Sequence, residues 1–309
     1  MSKLNTFIKL IKNDRQRIFS TFVRKFAKTS ACRHVSDKLF LKIAYKAYIG
    51  KTLNLDNPQT FNEKLQWLKL YNRKPVYSTM VDKHDVKKYV ADKIGQEYII
   101  PTLGVWNKFE DIDFNALPDK FVLKCTHDSG SVVICSDKSS FDYEKAKAKL
   151  NRGINSNLFW HGREWPYKDL PPRIIAEQYL EDEHLKDLRD YKLFCFNGVC
   201  RCFKVDFDRF SDHRANYFDT DKNLLKFGEK VCLPDFDRSI DVPDAINDMM
   251  VLAEKLSKDI PFLRVDFYYA NGRIYFGELT FFPASGFGPF VPEEWDNTLG
   301  SWITLPEKK

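Results

Sequence analysis

Two Asn-Gly pairs, each set between runs of alternating apolar and polar residues, constrain the fold of this chain more than any other feature. The runs and turns are 191–196, Asn197-Gly198 and 199–205, then 263–269, Asn271-Gly272 and 273–279. Asn and Gly tolerate the positive φ angles of a two-residue hairpin turn, so the pattern is a strong hairpin signal. The sequence therefore predicts two antiparallel hairpins.

The remaining segments place helices before and between strands. Thr60 and Asn62 offer cap oxygens to a helix, and a second helix is predicted over 82–93, ending at Gly95. Strands are predicted over 121–124, 131–135 and 174–180, and a later helix is predicted over 243–259. This order of elements predicts an α+β fold with mostly antiparallel sheets.

The second hairpin carries two acids inside apolar strands, Asp266 and Glu278. Two buried carboxylates repel each other unless a cation lies between them, and Mg²⁺ prefers such oxygen ligands. A two-residue loop would pair Asp266 with Gly277 and put Glu278 on the opposite face, so the metal hypothesis predicts an odd register or a bulge. Thr280 would add an oxygen on the face of Glu278. The alternative is that each acid pairs separately with an arginine, such as Arg264 or Arg273.

Lysines stand at two unusual positions. Lys124 ends an apolar strand and enters the small polar loop 125–130, where Ser129 and Gly130 could offer backbone N–H groups to phosphates. The spacing of a Walker A loop is absent, and an ordinary β-turn is the alternative. Lys192 alternates into the first hairpin, where an edge or snorkelling lysine is the alternative.

The strand 174–180 runs into the acidic stretch Glu181-Asp182-Glu183. Backbone groups at such a strand end can bind an adenine edge, and an acid beyond it can hold ribose hydroxyls. The alternative is a plain strand followed by a solvated acidic turn.

Composition favours a globular protein of two or three subdomains. The chain has 309 residues, of which 43% are hydrophobic and 30% are charged. No apolar run approaches the ~20 residues that span a bilayer, and the N-terminus lacks a signal-peptide core, so we expect a cytoplasmic protein. The seven cysteines form no C-x-x-C pair and are expected to be reduced, and the histidines lack zinc-ligand spacing.

The basic charge is concentrated at one end. Residues 1–51 contain 13 Lys and Arg against two Asp, an excess of +11, whereas the whole chain carries +6. Apolar residues recur there at helical spacing, which predicts basic amphipathic helices. These helices either pack on the protein with a solvated basic face or make peripheral contact with an anionic membrane through residues 1–50. No nucleic-acid-reading element accompanies the charge.

Taken together, these segments resemble ATP-grasp enzymes, which implies ATP and magnesium as cofactors and two α/β subdomains that clasp ATP. Lys83 resembles the early phosphate lysine of that superfamily, and Lys124 resembles the lysine before its phosphate-covering loop. The resemblance implies roles for further residues: the adenine hinge at Glu177, Gln178, Tyr179 and Leu180, the ribose acid at Glu181 or Glu183, a phosphate contact at Lys192, phosphoryl stabilisation by Arg264, and metal ligands at Asp266 and Glu278. Thr280 departs from the pattern, because the superfamily usually has Asn there.

Within the superfamily the chain resembles the TupA-like branch, named for teichuronopeptide biosynthesis. The stretches that carry this resemblance are 62–67, 190–198 and 277–283. It implies four regions: a basic helical extension (1–55), an N-terminal helical region (56–115), a small subdomain (116–180) and a large subdomain with the metal site (181–309).

The branch implies a carboxylate–amine ligase that acts through an acylphosphate in bacterial surface-polysaccharide synthesis. Its partner would be a small molecule or saccharide with a carboxylate or amine. A loop over 282–288 could shape the acceptor pocket, because its glycines suit close backbone approach or a lid, and a structural turn is the alternative. The alternatives are a glycosyltransferase that uses a nucleotide sugar, a kinase-like phosphoryl transfer, and a non-catalytic protein that binds a membrane or glycan surface.

Overall fold

A computed structural model describes residues 3–182, 188–208 and 212–308, with side chains from residue 15 onward. The first third of the chain is helical, as predicted, and contains five α-helices. They are α1 (Lys3–Phe26), α2 (Asp37–Tyr48), α3 (Phe61–Tyr71), α4 (Val76–Val81) and α5 (Asp85–Ile94). None of the helices within the described ranges is long and apolar enough to cross a lipid bilayer.

A capping box begins α3. The Thr60 hydroxyl accepts a hydrogen bond from the Glu63 N–H, and the Glu63 carboxylate accepts one from the Thr60 N–H. The predicted cap role of Asn62 is wrong, because its side chain is buried and donates to the Gly288 carbonyl and the Asp296 carboxylate. The stretch 62–67 therefore ties α3 to the C-terminal segment.

The helix predicted over 82–93 is α5, which starts three residues later. The Asp82 carboxylate accepts hydrogen bonds from the N–H groups of His84 and Asp85, just ahead of the helix. Gly95 ends the helix with a φ of 125°, a conformation that glycine adopts readily.

A four-stranded antiparallel sheet follows, which we call the small sheet. Its strands are β1 (Thr102–Trp106), β2 (Phe121–Cys125), β3 (Val132–Cys135) and β4 (Ile174–Gln178), in the order β1-β4-β2-β3. The helix α6 (Tyr143–Ile154) contributes Ala146 and Leu150 to the separate core beneath this sheet, and α7 (Phe159–Gly162) precedes β4 in the chain.

A six-stranded sheet forms the second half of the protein, and we call it the large sheet. Its strands are β5 (Asp190–Phe196), β6 (Val199–Phe207), β7 (Arg214–Asp219), β8 (Leu224–Leu225), β10 (Phe262–Ala270) and β11 (Arg273–Thr280), in the order β11-β10-β5-β6-β7-β8. Around it lie β9 (Gly228–Glu229), which pairs with β12 (Phe290–Val291), and the helices α8 (Ile246–Ser257) and α9 (Glu294–Ser301).

Both predicted hairpins are present with two-residue turns. Asn197 and Gly198 have φ angles of 51° and 83°, and Asn271 and Gly272 have 48° and 75°. Positive φ at both central residues matches the right-handed twist of the flanking strands. These turns set the register of β5 with β6 and of β10 with β11 next to each turn, and a bulge farther along each hairpin shifts it by one residue.

The large sheet has two different faces. In β5, Leu193 faces the opposite side from Lys192, and in β10, Val265 faces the opposite side from Asp266, because successive side chains alternate. Leu193 and Val265 are fully buried in the core that α8 also enters. The opposite face carries Lys192 and Asp266, which makes it the candidate site.

Candidate active site

A β-bulge brings the two predicted metal acids together. Asp266 lies directly opposite Glu278 across β10 and β11, whereas the next residue, Phe267, lies opposite Phe276, so Gly277 is the extra residue. A Cβ on Gly277 would meet the Asp266 carbonyl oxygen at 3.1 Å. The bulge that the metal hypothesis predicted is therefore confirmed, although the turn itself keeps two residues.

Arg264 bridges both acids. Its Nε and Nη2 donate to the two carboxylate oxygens of Asp266 at 2.7 and 2.6 Å, and Nη2 also donates to Glu278 Oε1 at 3.0 Å. Burial raises the pKa of Asp266, but Arg264 and Lys192 outweigh that effect and lower it to about 2. The guanidinium therefore supplies a cation between two carboxylates. Arg273 instead lies 5.4 Å from the ring centre of Tyr275.

Lys192 extends the charged row onto β5. It is 5% exposed, its Nζ lies 3.0 Å from Asp266 Oδ2, and it also donates to the Asp190 carboxylate. Burial lowers the pKa of Lys192, but the attraction of Asp190 and Asp266 outweighs it and raises the pKa. Lys192 is therefore a buried ammonium rather than an edge lysine.

The same face continues across β6 to β9. Lys204 Nζ lies 3.6 Å from Asp206 Oδ1 and 3.5 Å from Glu229 Oε1, and the Tyr217 hydroxyl donates to Glu229. Counted over the described residues alone, the row contains five carboxylates and three cations, a formal excess of two negative charges: Asp190, Asp206, Glu229, Asp266 and Glu278 against Lys192, Lys204 and Arg264.

The donor set at the bulge fits a divalent cation. One Mg²⁺ would neutralise the formal excess of two negative charges, and carboxylate oxygens are its preferred protein ligands. The Glu278 side chain is 44% exposed, so its oxygens face open space. Thr280 Oγ1 lies 3.5 Å from Glu278 Oε1, on the predicted side.

The small sheet contributes a second buried ion cluster. The Glu177 carboxylate lies between two lysines, with Oε1 2.5 Å from Lys87 Nζ and Oε2 2.5 Å from Lys124 Nζ. Burial lowers the pKa of Lys124, but Glu177 outweighs this and raises it. The Glu177 side chain thus orients two lysines, and its backbone lies in β4 opposite Thr102 on one side and Val122 on the other.

The other predicted hinge residues lie at the end of β4. Gln178 is exposed, and its N–H donates to the Pro101 carbonyl at 3.0 Å. Tyr179 and Leu180 are half-buried. Of the two predicted ribose acids, Glu181 is exposed and contacts Lys120 at 2.8 Å, whereas Glu183 lies outside the described residues.

The predicted phosphate loop after β2 is held by Lys83. The Lys83 N–H donates to the Thr126 carbonyl at 3.0 Å, and its ammonium donates to the Asp128 carbonyl. Ser129 and Gly130 form the exposed tip, and a Cβ on Gly130 would meet no atom within 4 Å. The tip therefore leaves room for a ligand against its backbone.

Polar atoms in the same loop lack partners. Thr126 Oγ1, His127 Nδ1 and Asp128 Oδ1 are buried without a hydrogen-bond partner in the described part of the chain. Buried polar groups are normally satisfied, so such a cluster indicates a missing ligand or water.

The two sheets approach each other at these residues. The charges of Tyr268 and Glu278 on the large sheet act on the pKa of Lys124. Tyr167 lies in the field of Glu278 and Arg264 from the large sheet and of Asp128 from the loop. Lys124 of the small sheet therefore lies on the side that approaches Glu278 of the large sheet.

A second group of potential metal ligands already holds an arginine. Asp82, His84 and Asp85 have the proximity of a metal site. Arg173 Nη2 lies 3.0 Å from Asp82 Oδ1 and 2.9 Å from Asp85 Oδ2, so one guanidinium bridges the pair and offsets part of its charge. This ion-paired cluster positions Lys83, which lies between the two acids in the sequence.

Sequence reasoning missed several members of the site. Asp190 was detectable, because alternation puts it on the face of Lys192, whereas Lys204 was not: the turn at Asn197-Gly198 alone would pair Lys192 with Phe203, and a bulge in β6 shifts the partner to Lys204. Lys87 had no such signal, since its contact with Glu177 depends on how α5 packs against β4.

Comparison with known proteins agrees with this geometry. The model of a family described as TupA-like ATP-grasp matches residues 63–304. No curated protein matches the sequence. Among solved structures, D-alanine–D-alanine ligase from Bacillus anthracis complexed with ATP is 14% identical, over 65% of this chain and 53% of that chain, with a TM-score of 0.39.

Two further structures are similar at the same level. D-cycloserine synthetase DcsG is 17% identical, over 67% of this chain and 64% of that chain, with a TM-score of 0.40. The ligase PsnB, complexed with minimal precursor, Mg and ADP, is 12% identical, over 71% of this chain and 57% of that chain, with a TM-score of 0.38. This chain thus spans less than two thirds of the length of each of these proteins. Because the family match covers most of its residues, the chain belongs to the TupA-like ATP-grasp family, and the predicted family and fold class are confirmed.

Proposed function

We propose that this protein is an ATP- and magnesium-dependent ligase that joins a carboxylate to an amine through an acylphosphate. The observation that carries the proposal is the bulged hairpin, which holds Asp266 and Glu278 on one face beside Arg264 and Lys192. Membership in the ATP-grasp family supports the nucleotide. The named relatives include ligases complexed with ATP or with Mg and ADP.

Asp266, Glu278 and Thr280 would hold magnesium. When bound, the ion would neutralise phosphate charge and orient the triphosphate. Arg264 and Lys192, already fixed by buried ion pairs, would stabilise the charge that develops on the transferring phosphoryl group. Because these cations are positioned in advance, little reorganisation is needed during transfer.

The small sheet would hold the rest of the nucleotide. We propose that the backbone of Glu177–Leu180 reads the adenine edge and that Glu181 or Glu183 binds the ribose. Lys83 and Lys124 would neutralise phosphates, with the loop tip at Ser129 and Gly130 closing over them. The three unsatisfied atoms in this loop support a ligand there. In this proposal residues 116–180 and 181–309 are the clasping subdomains, preceded by 56–115 and the extension 1–55.

The acceptor would lie beside the segment Pro283–Gly286, directly after β11. Ala284 and Ser285 have φ angles of 47° and 53°, a conformation that costs energy in residues other than glycine. The fully buried Lys69 secures this turn, because its ammonium donates to the carbonyls of Ser285 and Gly162 at 2.7 Å each. A strained but fixed turn next to the metal acids suits substrate positioning.

The chemistry follows the order carboxylate, ATP, amine. The substrate carboxylate attacks the γ-phosphorus and ADP leaves; the amine then displaces phosphate from the acyl carbon. We propose that the substrates are small molecules or saccharides, in bacterial surface-polysaccharide synthesis, and that the protein works in the cytoplasm. The branch of the family supports this assignment.

A product-mass screen tests the proposal. The protein would be incubated with ATP, magnesium, pooled amino acids and uronic-acid sugars, and ADP, phosphate and new masses would be measured. Glu278→Ala should lower ADP and phosphate release by about 100-fold or more, because a metal ligand is lost. The matched control Glu110→Ala, which removes an exposed partner of Lys147, should leave it unchanged. Turnover that survives Glu278→Ala, or sugar transfer from a nucleotide sugar without ADP, would reject the ligase.

A further inference from the structure

The helix α1 and the segment that joins it to α2 expose basic residues that form no ion pair with the residues the structure describes. Between Asp14 and Asp37 the sequence contains no acid. Six basic residues in that interval are exposed and form no ion pair within the described part of the chain: Arg15, Arg17, Arg24, Lys25, Lys28 and Arg33. Unpaired cations on a surface without acids create a positive potential that attracts anions.

The same helices expose large apolar side chains between these cations. On α1, Ile18 is 70% exposed and Phe22 is 63% exposed. Spacings of three and four residues place Arg15, Ile18, Phe22 and Lys25 on one ridge of the helix. We call this set the α1 ridge: two apolar residues with a basic residue at each end.

The helix α2 repeats the pattern. Leu39 is 52% exposed and Ile43 is 38% exposed, and Lys42 and Lys46 are exposed beside them at the same spacing. We call these four residues the α2 ridge. The opposite side of α2 is buried, with Phe40, Leu41 and Ala44 almost inaccessible. The exposed apolar residues of α2 therefore lie away from its core side, and on α1 the buried residue is Val23, at 1% exposure.

The helix α2 is joined to the body of the protein, and α1 is tied to α2 by a hydrogen bond from Gln16 Nε2 to the Tyr48 carbonyl at 3.2 Å. Arg163 is fully buried, and its Nη2 donates to the Cys32 carbonyl at 2.8 Å, while its Nε lies 3.3 Å from Asp37. Tyr48 packs on Phe287, next to the proposed acceptor turn, with ring centres 5.3 Å apart. A ligand on the ridges would thus be held at a fixed position relative to the acceptor turn.

We propose that the α1 and α2 ridges dock the protein on the surface of an anionic lipid bilayer. The lysines and arginines match the charge of acidic headgroups, and Ile18, Phe22, Leu39 and Ile43 enter the boundary between headgroups and acyl chains. A purely electrostatic partner, such as an acidic polymer, would have no use for four exposed apolar side chains. The docking does not depend on the proposed ligase reaction.

Vesicle co-sedimentation of the full chain tests the proposal. Partition into phosphatidylcholine vesicles containing phosphatidylglycerol should exceed partition into pure phosphatidylcholine by about tenfold or more, and salt should reduce it. Ile18→Ser with Phe22→Ser, and separately Arg15→Glu with Lys25→Glu, should each lower partition about tenfold. The control is Val251→Ser with Lys255→Glu on α8, an exposed apolar–basic pair four residues apart, which should change nothing.

Thermal unfolding and ATP turnover of each variant verify that the fold is intact. Three outcomes would overturn the proposal: no vesicle binding, equal binding to neutral vesicles, or ridge variants that bind as the wild type does. Light scattering tests the other possible occupant of the ridges, which is a second copy of this chain. Self-association that the α1-ridge variants abolish, without vesicle binding, would instead identify an interface between copies of this chain.

Discussion

Replacing Glu177 by glutamine should destabilise the small sheet strongly, because this carboxylate is the shared ion-pair partner of two lysines whose side chains are only 13% and 17% exposed. Its oxygens lie 2.5 Å from Lys87 and 2.5 Å from Lys124, and it is 5% exposed. Removing one partner of a buried ion pair costs about 3–5 kcal/mol, since the remaining charges stay buried. At about 2 °C per kcal/mol, Glu177→Gln should lower the Tm by about 6–10 °C at neutral pH.

The loss should depend on pH in a defined direction. Burial raises the pKa of Glu177, but Lys124 and Lys87 outweigh burial, so its folded-state pKa lies below the ordinary 4.5. A lowered carboxyl pKa stabilises the fold fully above pH 4.5, and this stabilisation is lost as the pH falls through the folded-state pKa. Wild type and Glu177→Gln should therefore differ most near pH 7 and converge in acid.

Thermal unfolding followed by circular dichroism across this pH range measures the effect. The control is Glu181→Gln, which removes an exposed partner of Lys120 three residues beyond β4 and should leave the Tm unchanged. If Glu177→Gln shifts the Tm no more than the control, or shifts it equally at every pH, the buried ion cluster is not the stabilising feature that the structure indicates.

Two further substitutions test the bulge and the acceptor turn. Gly277→Val should lower the free energy of unfolding by about 1–3 kcal/mol and weaken magnesium-dependent ATP binding, because its Cβ would crowd the Asp266 carbonyl at 3.1 Å. A variant that unfolds and binds ATP as the wild type does would contradict this prediction. Burial lowers the pKa of Lys69 to about 7 and raises that of Glu164, whose charge acts on it. Lys69→Met and Glu164→Gln should therefore couple by about 0.5–3 kcal/mol in a double-mutant cycle of unfolding free energies, whereas additive losses would show independent groups.

The hairpin chemistry was predictable from the sequence, because it is local. Asn271-Gly272 specifies a two-residue turn, which by itself would put Asp266 and Glu278 on opposite faces of the sheet. A metal site shared by both acids therefore requires a bulge, and the structure contains one at Gly277. Thr60 likewise predicts the start of α3 from the local sequence alone, and it is the N-cap residue of that helix.

Contacts between distant segments were not predictable. Lys192 reaches Asp266 because β5 pairs with β10, 74 residues later, and no local pattern specifies that sheet order. Asn62 was taken for a cap residue, whereas its partner is Asp296 at the other end of the chain. Such pairings are decided by the packing of whole elements, so a short stretch of sequence carries little information about them.

Equilibrium titration of ATP, with and without magnesium, tests the central claim that one bulged hairpin presents two carboxylates to a shared cation and a triphosphate. Magnesium should tighten ATP binding to the wild type by about tenfold or more, and Asp266→Asn and Glu278→Gln should each abolish that gain. The control Asp92→Asn, on the exposed side of α5, should keep it. A magnesium-dependent gain that survives in both hairpin variants would contradict the account.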